Sequence, residues 1–254
     1  MATDTRIVQF ADEHLPAAAG LLSQRHARLR AGEPGLAERW CGPDEGVTLL
    51  AAARARPRAR GYAALEAGRL ISFLVGEVRL DAPWDRAGWV ELAGHATAED
   101  QPGVAHDLYA AWSSELVNEL GIFRYLVNVP AGDRDAVEAW HQLNFGQMHA
   151  YALRSTDVSD LPVPPADIVI RDATPDDAAL MESTSELIWR EQVGAPSWSP
   201  IRPEQIAALR DEYVEELTLP EDRVWVAQDA ASGDPLGVSV SYRLDPSWTC
   251  PTTT

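Results

Sequence analysis

A carboxylate and an imidazole are spaced to share one side of a predicted strand. The stretch GWVELAGHAT (88–97) predicts a β-strand in which Glu91 and His95 are four residues apart. Side chains alternate between the two faces of a strand, so this spacing puts both groups on one face. Such a pair could act as a general base and relay a proton to solvent. The alternative is a surface glutamate and a hydrogen-bonded histidine.

The stretch DQPGVAHDLYAAW (100–112) combines a small-residue turn with the start of an amphipathic helix. A turn that opens a helix presents free N–H groups and a partial positive charge, which together suit a phosphate. The candidate binding residues in this turn are Asp100, Gln101, Gly103, Val104 and Ala105. Asp100 has the wrong charge for a phosphate, and Pro102 has no N–H to donate. The alternative is that Asp100 simply caps the helix.

The composition excludes several kinds of chemistry. The chain of 254 residues has a net charge of -18, and all 21 of its basic side chains are arginines. The absence of lysine excludes a lysine-containing phosphate loop and Schiff-base catalysis. Cys41 and Cys250 form no metal-ligand motif, so we expect no metal site. We expect a cytoplasmic protein that binds neither nucleic acid nor membrane, because the chain is acidic and has neither a secretory signal nor an apolar run of ~20 residues.

Two stretches of the chain recur, and three anchor points within them are 161 to 164 residues apart. IVQFADEH (7–14) matches IVIRDATP (168–175), and a hairpin pattern over 60–84 matches another over 223–248. This near-constant spacing predicts a duplication. We therefore predict a complete first unit (1–155) that ends in a strand over 148–154, a linker (156–166) and a partial second unit (167–254).

The order of elements, the turn at 100–105 and the helix AVEAWHQLNF (136–145) resemble the GNAT superfamily of N-acetyltransferases. Two units in tandem resemble the double-GNAT proteins of actinobacteria. The resemblance implies an α/β (α+β) fold with a mixed, mostly antiparallel central sheet flanked by helices. It also implies that the second copy lacks the half that binds acyl-CoA.

The resemblance also implies an activity and roles for particular residues. Acetyl-CoA would be the co-substrate, a small-molecule amine would be the acceptor, and the turn at 100–105 would hold the pyrophosphate. Glu91 stands where the family often places its general base. Many members have a tyrosine that protonates the leaving thiolate, and here that position is Trp140. Indole cannot supply this proton, so we expect Trp140 to be a core or cleft-wall aromatic.

Two functions therefore stay open. The chain is either an acyl-CoA-dependent N-acetyltransferase, or a shortened form of one, or a catalytically inactive GNAT-like module that binds a ligand or partner. Asp100 and Trp140 favour the inactive module. A partial second unit would expose an unpaired sheet edge, which predicts a possible homodimer.

Overall fold

The computed structural model describes residues 5–80, 86–99, 101, 103–150, 152, 163–195, 210–220 and 222–241. These residues divide into two compact units, the first ending at residue 147 and the second beginning at residue 148. Asp100, Pro102 and most of the predicted linker lie outside the described residues.

The first unit is built on a six-stranded sheet. Its strands are β1 (Thr5–Gln9), β2 (Arg60–Glu66), β3 (Arg69–Arg79), β4 (Ala87–Val90), β5 (His95–Thr97) and β6 (Arg124–Val127). The order is β1-β2-β3-β4-β6, and β5 pairs with β3. Every pairing is antiparallel except that of β4 with β6. The prediction of a mixed, mostly antiparallel sheet flanked by helices is confirmed.

Helices cover both faces of this sheet. The first face packs against α1 (Leu15–Gly32) and α2 (Pro43–Ala55), and we call it the α1/α2 face. The opposite face packs against α3 (Val104–Leu120) and α4 (Arg134–Gln142), and we call it the α3/α4 face.

An apolar stripe explains why α3 forms, and a glycine explains where it ends. Apolar residues recur at every fourth position, which places them on one side of a helix. Four of them are buried against the sheet: Val104, Leu108, Trp112 and Leu116. The helix ends at Gly121, whose φ of 62° is in the left-handed region that favours glycine.

In its described residues the second unit contains a three-stranded antiparallel sheet, two short helices and a helical stretch at 210–215. Its strands β7 (Ile168–Asp172), β8 (Arg223–Asp229) and β9 (Pro235–Ser241) are in sequence order. Its helices are α5 (Ala178–Ser185) and α6 (Leu187–Gln192). The predicted strand over 148–154 is not present at 148–150 or at 152, and its other residues are not described.

Details of the β1–β2 pairing recur 163 residues further on. Thr5 pairs with Glu66 in the first unit, and Ile168 pairs with Asp229 in the second. The second strand is irregular between Ala64 and Leu65, and its counterpart between Ala227 and Gln228. Each unit also has a 2.8 Å backbone bond just past its first strand, from Phe10 N–H to Gly61 O and from Ala173 N–H to Val224 O.

Candidate functional site

The strand that was predicted to carry Glu91 and His95 is broken between them. Residues Leu92–Gly94 form a 3-10 turn that separates β4 from β5. On the two sides of this turn Glu77 of β3 pairs with Trp89, and Leu74 pairs with His95. The turn thus inserts three extra residues. Because side chains alternate between the two faces of a sheet, an odd insertion moves the side chains after the turn to the opposite face.

The inserted turn separates the two candidate residues. Glu91 follows Trp89 by two residues and lies on the α1/α2 face, whereas His95 lies opposite Leu74 on the α3/α4 face. The prediction that they share one face is therefore wrong. The turn packs tightly on β3, because a Cβ at Gly94 would be only 2.4 Å from Val75 O.

Glu91 is held by donors on both of its oxygens. Oε1 accepts a hydrogen bond from Arg79 Nη2 at 2.6 Å, and Oε2 accepts one from Asn128 Nδ2 at 3.1 Å. Arg56 Nη1 is 3.7 Å from Oε1, and both arginines also bond Glu77 at 2.9 Å. The carboxylate thus lies in a network of alternating charges that fixes its orientation.

His95 is buried and its Nε2 is committed to a backbone carbonyl. Nε2 is 2.9 Å from Asn128 O, and since a carbonyl only accepts, Nε2 carries the hydrogen. Burial first, and then the neighbouring Arg25 cation, lower the pKa of His95 to about 3. At neutral pH the ring is therefore neutral, and it packs edge-on against Trp140 with a centroid distance of 5.7 Å.

Asn128 joins the two candidate residues from opposite faces. Its N–H donates to Val90 O at 2.9 Å, its Nδ2 to Glu91, and its carbonyl accepts from His95. The sequence analysis missed this residue. The available signal was a single amide side chain at the end of the apolar strand β6.

Arg25 of α1 clamps the same turn from the α1/α2 side. It is buried, and it donates to His95 O at 2.6 Å and to Leu92 O at 2.7 Å. The two bonds fix the carbonyls at either end of the inserted residues. Sequence reasoning missed Arg25 because one arginine in an alanine-rich helix resembles a solvated position.

The outer edge of β5 is unpaired in the part of the chain that the structure describes. Ala98 N–H donates to Ile71 O of β3 at 2.8 Å. Backbone groups alternate in direction along a strand, so His95 and Thr97 direct theirs away from β3. β6 pairs only with β4, at residues 87–90, and does not reach this edge. We call the space between β5 and the residues that follow β6 the strand gap.

Four of the five predicted phosphate-binding residues lie at the start of α3. Val104 N–H donates to Gln101 O at 3.2 Å, and Gly103 is the N-cap residue. Ala105 is half-buried in the first helical turn. Asp100 is not described, so its predicted roles as cap or binding residue stay predictions.

Trp140 is a core residue of the α3/α4 face, as predicted. It is 3% exposed and packs edge-on against Tyr109 and Phe145. Within the described ranges no three His, Cys, Asp or Glu side chains group to hold a metal ion. None of the helices described is long and apolar enough to cross a membrane.

Solved structures with a similar fold include N-acetyltransferases. The ribosomal-protein-alanine N-acetyltransferase from Brucella melitensis biovar Abortus 2308 is 18% identical, with a TM-score of 0.44, over 60% of this chain and 100% of that chain. The aminoglycoside N-acetyltransferase AAC(6')-Iy, solved with CoA, is 17% identical, with a TM-score of 0.44, over 62% of this chain and 98% of that chain.

An aminoglycoside acetyltransferase from an uncultured soil metagenomic sample, solved with trehalose, is 15% identical with a TM-score of 0.44. That match covers 60% of this chain and 95% of the other. No family model and no curated protein matches the chain. At these identities and TM-scores the likeness does not bear on substrate or activity.

Proposed function

We propose that the first unit binds acetyl-CoA and transfers its acetyl group to a small-molecule amine. The observation that carries this proposal is the unpaired edge of β5, which leads directly into the start of α3. The amides of a pantetheine chain can pair with the outward N–H and C=O of Thr97 as a strand would. A pyrophosphate can then be held by the first N–H groups of α3, near Gly103 and Ala105.

Glu91 is the proposed proton acceptor. It lies on the α1/α2 face, so the amine would approach from that face while the pantetheine chain occupies the strand gap. Arg79 and Asn128 orient its carboxylate. We do not route the proton through His95, because its Nε2–H is bonded to Asn128. The net charge of -18 favours a cationic amine.

The second unit is, in this proposal, a further copy of the β1–β3 half of the first. The support is the equal pairing, the equal irregularity and the equal backbone bond 163 residues apart. The proposed homodimer would use the outer edge of β9, which has no partner strand among the described residues. A monomer at every concentration in sedimentation would contradict the dimer.

The binding step is tested by placing a carboxylate at the proposed pyrophosphate site. Ala105→Glu should weaken acetyl-CoA binding at least tenfold in calorimetry, because the new charge would repel the pyrophosphate. Ala110→Glu adds the same charge at an exposed position of α3 and should bind acetyl-CoA as the unaltered protein does. Equal affinity in both variants, or no binding by the unaltered protein, would contradict the proposal.

The catalytic step is tested with Glu91→Gln. The assay is release of free CoA in the presence of a panel of small amines. The kcat should fall about 100-fold, because the proton acceptor is lost. Acetyl-CoA affinity should stay unchanged.

One observation favours the inactive module as a second candidate. His95 spans the strand gap to Asn128 O and packs against Trp140, in the space that the pantetheine chain would occupy. That function predicts a ligand that binds without turnover of any amine, and no effect of Glu91→Gln.

A further inference from the structure

A single side chain spans the strand gap. The imidazole of His95 reaches from β5 to the carbonyl of Asn128, which directly follows β6. His95 is only 6% exposed, and Trp140 covers it from the α3/α4 face. An extended ligand chain that enters the strand gap to pair with Thr97 would contact the His95 ring.

We propose that His95 is a gate: its hydrogen bond to Asn128 closes the strand gap in the free protein, and the pantetheine chain of acetyl-CoA enters only when this bond breaks. The inference rests on the proposed binding of acetyl-CoA. It replaces the predicted proton relay with a conformational role for the same residue.

Because Arg25 fixes the backbone at His95, the gate can open by a movement of the His95 side chain alone. Its guanidinium holds the carbonyls of Leu92 and His95, so the backbone on which the ring is mounted is fixed to α1. Rotation about the side-chain bonds of His95 can therefore open the gap without unpairing β5 from β3. Burial keeps the ring neutral, so the imidazole has a single N–H, which Nε2 donates to Asn128 O.

The gate is connected to Glu91 through Asn128. The residue whose carbonyl accepts from His95 also donates from Nδ2 to Glu91 Oε2. When the gate opens, Asn128 keeps its backbone hydrogen bond to Val90 O, but it loses the hydrogen bond from His95 on the α3/α4 face. Opening of the gate thus changes the contacts of the residue that orients the carboxylate on the opposite face.

The movement is tested by NMR of the full chain labelled with ¹⁵N-histidine. The buried Nε2–H of His95 should give a signal at neutral pH, assigned by its loss in His95→Ala. Saturating acetyl-CoA should remove or shift this signal. His26 is the internal reference, because its Nε2 is also buried and is 2.8 Å from Ala37 O. An unchanged His95 signal in the acetyl-CoA complex would overturn the gate and leave the proposed function standing.

Binding by variants tests the closed state. His95→Ala removes both the ring and the bond, and it should bind acetyl-CoA at least tenfold more tightly than the unaltered protein. His26→Ala removes an equally buried imidazole and should leave the affinity unchanged. Binding by His95→Ala alone, with none by the unaltered protein, would also overturn the gate and the proposed function, because the free protein would then never admit acetyl-CoA. Absence of binding in both would overturn the gate and the proposed function together. Equal affinity would overturn the gate alone.

Discussion

The strands β1–β3 of the first unit and β7–β9 of the second follow the same plan with different residues. In each unit a 3-10 turn follows the first strand, and its third residue accepts a hydrogen bond from the N-cap N–H. His14 Nδ1 accepts from Ala11 at 2.9 Å, and Asp177 Oδ2 accepts from Thr174 at 2.8 Å. The shared plan therefore requires an acceptor at this position but not a particular side chain.

The two sheets differ in how deeply one face is buried. Ala64 is 0% exposed beneath α3, whereas its counterpart Ala227 is half-buried. Ile7 is partly buried, whereas its counterpart Ile170 is 56% exposed. Among the described residues, Ala227 and Ile170 are thus less covered than Ala64 and Ile7, although the strands pair in the same way.

The largest effect of a substitution on the free energy of unfolding is expected where α3 packs against the sheet. Arg60 pairs with Gly76, and the corresponding Arg223 pairs with Ser241. A Cβ at Gly76 would be 2.6 Å from Trp112 Cζ2 and 2.8 Å from Trp89 O. Gly76→Ser should therefore lower the free energy of unfolding by about 3 kcal/mol.

The matched exchange in the second unit is Ser241→Gly. Ser241 is exposed, so this change should cost only about 0.5–1 kcal/mol, through the freedom of glycine in the unfolded chain. Urea unfolding measures both free energies. Equal losses would show that α3 does not set the difference between the units.

Acid should destabilise the two units in different pH windows. The pKa of His95 is lowered to about 3, so the unfolded chain binds a proton that the folded chain does not between about pH 6.5 and 3. The first unit should lose about 1.4 kcal/mol for each pH unit below 6.5 on this account. The lowered pKa of the buried His26 acts in the same direction.

The second unit should resist acid down to a lower pH. The hydrogen bonds of Asp177 with Arg171 hold the pKa of this carboxyl well below its usual range, so its contribution is lost only below about pH 4. Amide hydrogen exchange, read separately in each unit as a function of pH, checks the two windows. His95→Gln should flatten the dependence of the first unit only, and an unaltered slope would refute the assignment to His95.

Asp177 and His14, the two capping residues, should contribute unequally to the free energy of unfolding. Asp177 accepts from Thr174 and forms two bonds with Arg171, at 2.7 and 2.8 Å. Asp177→Ala should cost about 2 kcal/mol, because a charged network is lost together with the cap. His14→Ala should cost about 1 kcal/mol, the usual weight of a cap alone. Thermal unfolding of both variants measures this, and a greater loss for His14→Ala would reverse the comparison.

Much of the fold could be predicted from periodicity and turn residues. The amphipathic helix that follows the turn at 100–105 and the two hairpins are local patterns, and each is present as expected. The break at Leu92–Gly94 could not be predicted, because its residues are compatible with a continuous strand. It is imposed by β3, against which Gly94 packs, and by Arg25, which is 67 residues away in sequence from Leu92.

The candidate site was predicted in part. Glu91 and His95 were selected by residue type, and the structure brings both to Asn128. Their assignment to one face failed because it relied on an uninterrupted alternation. Arg25 and Asn128 act through long-range contacts to backbone carbonyls, which leave no spacing pattern in the sequence.

The smallest effect concerns the hairpin turns. β2 and β3 are joined by Ala67 and Gly68, whose φ values are 49° and 80°. Two positive values define a tight turn that suits the twist of the strands but strains an alanine. The β8–β9 loop is longer, and its positive φ is at Gly233.

Ala67→Gly should therefore raise the free energy of unfolding by about 0.5 kcal/mol, since the relieved strain exceeds the added freedom of the unfolded chain. Ala231 in the longer loop is not among the residues with positive φ, so Ala231→Gly should lower the same quantity by about 0.5 kcal/mol. Urea midpoints of the two variants, compared at equal slope, measure these opposite shifts. Shifts of the same sign would mean that the backbone conformation at Ala67 is not the source of the difference between the two hairpins.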